Sequence, residues 1–289
     1  MADTERRSLR STNPVLRRRE RTWGMGSSSS APWSTRAPVV ADSPAAAVSV
    51  RHGDAPSPAR DSLMTIDDVV ARTAITLGVV VFAAVLSWVL LPVDPANIGT
   101  SYGIAIGAGL IALGLAVAQS FMSRPLPALI LGYAAFEGVF LGVISSATSS
   151  QLSSGVVVQA VVGTMAVFAG VLIAYKMQWI RVTRRFYGYV TAAALGFVIL
   201  TAADLLVSAF VGGDGLGFRS GGLGILFGVI GIVLGACFLA LHFKQIEDGV
   251  SQGASREESW YAAFGLTVTL VWIYVEILNL LTLVSEDNL

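Results

Sequence analysis

Residues 260–284 read WYAAFGLTVTLVWIYVEILNLLTLV, and the only charged side chain among them is Glu276. As a helix, a run of this length spans about 38 Å at about 1.5 Å per residue, more than the roughly 30 Å of a bilayer's hydrocarbon core. Apolar side chains occupy every face, so the helix has no side to offer to water. It reads as a membrane crossing.

Six more runs of the same kind precede it, at residues 73–91, 102–122, 126–146, 155–175, 187–211 and 222–243. Turn chemistry separates them: Pro92 and Pro95, Arg124-Pro125, the serines at 149–154, Gly212 through Gly215, then Gly249 and Gly253. Thr65 followed by Asp67 and Asp68 marks a helix start, and Ser255-Arg-Glu-Glu258 reads as a capping box ahead of the last run. Overall, 54% of the 289 residues are hydrophobic and 13% charged, where a soluble domain carries about 25% charge. The mean hydropathy of +0.69 agrees. The sequence therefore predicts an all-α integral membrane protein, with seven transmembrane helices in residues 63–289.

Residues 1–62 have another character, rich in Ser, Ala, Pro and Arg. Too little apolar surface is present to offset the entropy of ordering, so this segment is expected to be a disordered basic tail. Charge continues through Arg21 and no apolar stretch follows before Met64, which is not the pattern of a secretory signal. The arginines between Arg6 and Arg21 suit anionic lipid headgroups. No aromatic-basic platform accompanies them, so nucleic acid is not an expected partner.

Basic residues set the expected orientation. With the tail in the cytoplasm, inner segments hold 18 of the 19 Lys and Arg residues, and Arg219 alone lies outside. The odd number of spans then puts Asp287 and the C-terminus outside a cell membrane. Small residues at i, i+4 spacing (Gly103/Gly107, Ala134/Gly138/Gly142, Gly224/Gly228, Gly231/Gly235) predict close helix packing.

Ionisable groups at membrane depth are expensive and mark functional candidates. Four stand out: Glu137 in the third span, Asp204 in the fifth, His242 at the inner end of the sixth, and Glu276 in the last. Glu276 shares a helical face with Asn279 and Leu280. Each also has a structural reading, in which a hydroxyl, amide or charge satisfies it and fixes helix register. Catalysis is not expected. A zinc site commonly needs three protein ligands and serine chemistry needs a base, yet His242 is the sole histidine beyond the tail. Cys237 sits in an apolar run and reads as an inert thiol.

The motifs together resemble the Bax inhibitor-1/YccA family, in particular its actinobacterial branch. They are STNPVLR at 11–17, MTIDDVV at 64–70, FEGVFLG at 136–142, RVTRRF at 181–186, WYAAFG at 260–265 and EILNLL at 276–281. The resemblance implies a seven-helix fold whose last helix is surrounded by the other six. It also implies a pH-sensitive calcium leak with a role in stress survival, or alternatively modulation of a membrane protease. In the leak picture a carboxylate late in the sixth helix pairs with one in the seventh, here Glu276. The sixth-helix position is His242, in HFKQI at 242–246, so the acid pair is replaced by histidine and glutamate. Neutral imidazole is a poor calcium ligand, which predicts weaker calcium coordination, while a titratable histidine keeps a pH response open. No cofactor is expected beyond Ca2+ as a transported ion, with Glu276 and Asp204 as its candidate ligands. Arg124 is a candidate counter-ion. Counting residues from a turn centred on 249–253 places His242 and Glu276 roughly 24 Å apart in depth.

Overall fold

The computed structural model describes residues 63–286, apart from Pro92, residues 94–97, residues 213–214 and Arg219. The basic tail expected at residues 1–62 lies outside the described residues. Among the described residues seven α-helices follow one another: α1 (Ile66–Leu90), α2 (Ile98–Phe121), α3 (Pro127–Gln151), α4 (Ser154–Lys176), α5 (Arg184–Val211), α6 (Gly221–Gln252) and α7 (Ser259–Glu286). All seven are long and apolar enough to cross a membrane, and the described residues form no strand. This is a seven-helix membrane bundle.

Helix α7 is its axis. Half of its most apolar window is buried within the protein, against 44% for α3 and 39% for α6. Thr267 Oγ1 lies 2.8 Å from Thr76 Oγ1 of α1, and Tyr274 OH lies 2.7 Å from Ser145 Oγ of α3. Ile277 meets the α4 backbone at Gly163, and Trp272 meets Phe197 of α5. The hydroxyl of Tyr261 donates to the Met122 carbonyl just beyond α2.

Close approaches follow the small residues unevenly. A Cβ at Gly138 or Gly142 would collide with the α1 carbonyls of Val80 and Ala84, so α1 and α3 touch through backbone there. Gly228, Gly231 and Gly235 of α6 face Leu280, Glu276 and Ile273 of α7. Gly103 and Gly107 meet nothing within 4 Å, so that pair does not serve packing. These α6–α7 partners fix an antiparallel register that turns about near Ala254.

Helix starts differ in how well the sequence announced them. Thr65 caps α1 as expected, its hydroxyl accepting from Asp68 N at 3.1 Å. Ser255 makes no side-chain cap; a 3-10 turn, Arg256–Glu258, intervenes, and Ser259 Oγ donates instead to the Arg256 carbonyl at 2.7 Å. Nor does α6 stop at Gly249. It continues to Gly253, whose left-handed φ of 69° and ψ of 41° end it. A Cβ on Gly249 would lie 3.3 Å from Met64 Sδ, so that glycine makes room for a neighbour instead of a turn.

That neighbour belongs to a clasp between the chain entering α1 and the α6–α7 turn. Leu63 forms an antiparallel bridge with Ser255, and Met64 N donates to the Ala254 carbonyl at 2.9 Å. Arg256 Nε lies 2.9 Å from Asp68 Oδ1. Arg72 donates to the Arg256 carbonyl at 2.5 Å, and its guanidinium stands 5.0 Å from the Trp260 ring. At about 48 Å, α6 is longer than the hydrocarbon core, and its C-terminal end carries an ion pair of 2.9 Å from Lys244 to Asp248.

Candidate functional site

An open crevice of about 440 Å³ runs between α3, α5 and α7. Glu137 from α3 and Glu276 from α7 both line it, with Tyr133, Phe197, Thr201 and Trp272 among its other walls. Two carboxylates from different helices thus open on one space inside the spanning part of the bundle.

Depth within that space follows from side-chain pairs. Tyr274 is level with Ser145, and Tyr133 packs edge-on to Phe264 with ring centroids 5.4 Å apart. Since α3 and α7 run parallel, these pairs put Glu137 level with residues 266–268 of α7. Glu276 is eight to ten residues further on, roughly 12 to 15 Å along the axis. The two acids are set apart along the crevice and are not a pair sharing one proton.

His242 sits near the level of Glu137, facing the first half of α7. Its Nε2 is 3.1 Å from Thr269 Oγ1 and its Nδ1 is 3.2 Å from Gln245 Oε1. The ring packs on Gly265, where a Cβ would come within 2.6 Å of His242 Cε1. Thr269 and Glu276 are separated by seven residues on one stripe of α7, two turns or roughly 10 Å. Direct counting overstated the offset, because the register of Gly235 on Ile273 and Gly231 on Glu276 centres the hairpin near Ala254. The sequence estimate of roughly 24 Å accordingly becomes roughly 10 to 15 Å. Glu276 fits against α6 where Gly231 leaves space; a Cβ there would be 2.9 Å from the glutamate Cδ and 3.0 Å from Phe197 Cζ.

Asp204 and Arg124 occupy opposite ends. Asp204 is 3% exposed, and its Oδ1 accepts from Leu216 N at 2.7 Å, which pins the loop between α5 and α6. Gly215, with φ of +65°, passes so close that a Cβ would lie 2.9 Å from that oxygen. Asp204 is seven residues past Phe197, about 10 Å further toward the loop. Arg124 is exposed in the α2–α3 turn. Tyr261 ties that turn to the start of α7, some 15 residues, or about 22 Å, from Glu276. Gln119, fully buried, closes the same turn: its Oε1 accepts from Leu126 N at 3.1 Å and its Nε2 donates to the Arg124 carbonyl at 3.3 Å. Among the described residues, no group of three or more His, Cys, Asp or Glu side chains gathers to hold a metal ion.

What sequence reading missed is the aromatic ladder beside these groups. Phe238 lies 6.5 Å from His242 and 6.2 Å from Trp272, centroid to centroid. Trp272 is 5.6 Å from Phe197, which stacks on Phe227 at 4.3 Å, and Phe227 stacks on Phe218 at 5.5 Å. Six rings from α5, α6, α7 and the α5–α6 loop form one column. Only their spacing in three dimensions identifies it, since apolar aromatics are unremarkable in membrane helices.

A second crevice of about 460 Å³ lies between α1, α3, α4 and α7. Its walls are almost wholly apolar, as expected of a surface facing lipid tails.

A family model described as Bax inhibitor 1 like matches residues 13–286. A comparison with curated proteins finds no match.

Proposed function

The chain belongs to the Bax inhibitor 1-like family, and from that premise we propose that it forms a cation leak across the cell membrane. Glu137 and His242 mark the inner station of its path and Glu276 the next. One observation carries this reading: two acids from α3 and α7 line a single crevice at membrane depth, where an ionisable side chain is costly to keep without a use. Spaced stations favour passage over tight holding, because an ion must bind well enough to enter and weakly enough to leave.

Calcium is the ion that the family resemblance suggests, with relief of stress as the biological outcome. The chemistry here favours loose handling of it. Ca2+ takes six to eight oxygen ligands, whereas the inner station has an imidazole where the family resemblance implies a second acid. Asp204 serves at the outer mouth by holding the loop in place. The excess of basic residues in the segments shared with the tail supports a cytoplasmic N-terminus and an outer C-terminus.

Liposomes containing the purified protein test this. Calcium entry above background at pH between about 6 and 8 is expected, with a clear reduction in Glu276→Gln. Flux at background for the wild-type protein across that range overturns the leak.

A second reading has its own support: the charged inner end of α6, with Lys244, Glu247 and Asp248, stands beyond the hydrocarbon core beside the clasp. That surface suits a regulatory partner such as a membrane protease. Cross-linking in native membranes that captures a stoichiometric partner, unchanged in Glu276→Gln, favours it over the leak.

A further inference from the structure

Among the described residues, two side-chain polar atoms are buried without a hydrogen-bond partner, and one is the indole Nε1 of Trp272. Native proteins rarely leave a buried donor unmet, and each such donor calls for an explanation. The position of this one supplies it. Trp272 stands on the α7 stripe between Thr269, which holds His242, and Glu276, with three residues to one and four to the other. Its ring is tilted by 38° against Phe238 of α6 and by 32° against Phe197 of α5. Three helices therefore place aromatic surface in the interval that separates the two polar stations. The same side chain forms part of the wall of the Glu137–Glu276 crevice.

We propose that Trp272 is the gate of this path: its indole closes the interval between His242 and Glu276, and it opens by swinging into the crevice and donating its N–H to the Glu276 carboxylate. The inference rests on the pathway reading above and adds to it the residue that decides whether the interval between His242 and Glu276 is open. In the closed arrangement an apolar layer of rings interrupts a file of water between His242 and Glu276, a barrier of the dewetting kind. That arrangement leaves the indole N–H unsatisfied, so it is not driven far below its alternative. The alternative offers an acceptor at the right place. Helical side chains lean toward the N-terminus of their helix, which sets Glu276 back over the turn that bears Trp272. Room exists on the crevice side, while Gly231 seats the Glu276 side chain beside this stretch of α7.

The test uses the full chain in lipid nanodiscs, with its six tryptophans replaced by 5-fluorotryptophan. Loss of a resonance in Trp272→Phe assigns the one of interest. Two exchanging environments are expected for it, collapsing to one in Glu276→Met, which keeps the size of the side chain but lacks an acceptor. A single Trp272 resonance, unmoved by Glu276→Met, overturns the gate whatever the flux. In liposomes, Trp272→Ala is expected to raise cation flux about five-fold or more, while Trp272→Phe, which retains an aromatic plug, leaves flux at or below wild type. Wild-type flux that Trp272→Ala does not change overturns the gate and leaves the pathway standing. Background flux in both wild type and Trp272→Ala overturns the pathway, and the gate with it.

Discussion

His242 and Glu276 address the same stripe of α7 from positions two helical turns apart, the imidazole being held 3.1 Å from Thr269 Oγ1. A proton-sharing pair requires the two groups to be neighbours, and these are not. Restoring an acid with His242→Asp should therefore leave the two sites independent. In a cycle of His242→Asp, Glu276→Gln and the double variant, effects on calcium flux should add to within about 0.5 kcal/mol. A larger coupling, read from liposome flux rates, would mean that the two side chains come into contact during transport.

Glycines at backbone contacts should be intolerant in proportion to what they meet. Gly138→Ala and Gly142→Ala press a methyl group into α1 carbonyls, and Gly235→Ala into Ile273. Each should cost about 1 to 3 kcal/mol through overpacking. Gly78→Ala, which meets nothing within 4 Å, should be neutral or slightly stabilising in a helix. Thermal unfolding in detergent ranks the four.

Asp204 tests whether its carboxylate serves the loop alone or the proposed path as well. Asp204→Asn retains an oxygen for Leu216 N and should preserve both folding and flux. Asp204→Ala strands that N–H and should lose about 1 to 3 kcal/mol of stability. If Asp204→Asn abolishes flux in a well-folded protein, the carboxylate itself belongs to the path and not only to the loop.

The clasp makes a prediction about motion. Arg72→Gln removes two carbonyl contacts and the stacking on Trp260, so amide exchange should accelerate together in residues 63–70 and 253–260. Arg256→Gln breaks a partly exposed ion pair alone and should accelerate the same amides less. Exchange confined to one of the two segments would show that they open separately.

Much of the fold was legible because a membrane leaves few choices. Uninterrupted apolar runs of about twenty residues have to be helices there, as every backbone group must find its partner within the segment. Thr65 announced the start of α1 through local chemistry, and Gly138 and Gly142 announced a tight contact through spacing. Gly249 misled, because a glycine signals turn and close approach alike, and only Met64, 185 residues away in the chain, tells which applies. Glu137 and Glu276 were identifiable by type. Their shared crevice was not, since it depends on the register between α3 and α7, set by pairs such as Ser145 with Tyr274. Trp272 escaped notice for the same reason: an orphaned indole nitrogen is a property of its surroundings and has no trace in a composition.

Finally, the union of Met64 with Ala254 bears on how the molecule is made. The first helix emerges from the ribosome long before its partner segment exists. Until the α6–α7 hairpin enters the bilayer, Met64 has no covered seat and Arg72 no carbonyls to hold. Maturation of this face is therefore a late event, waiting on a segment made some 185 residues after Met64. A nascent chain halted before residue 253 should expose residues 63–72 to protease, and one extended past residue 286 should protect them.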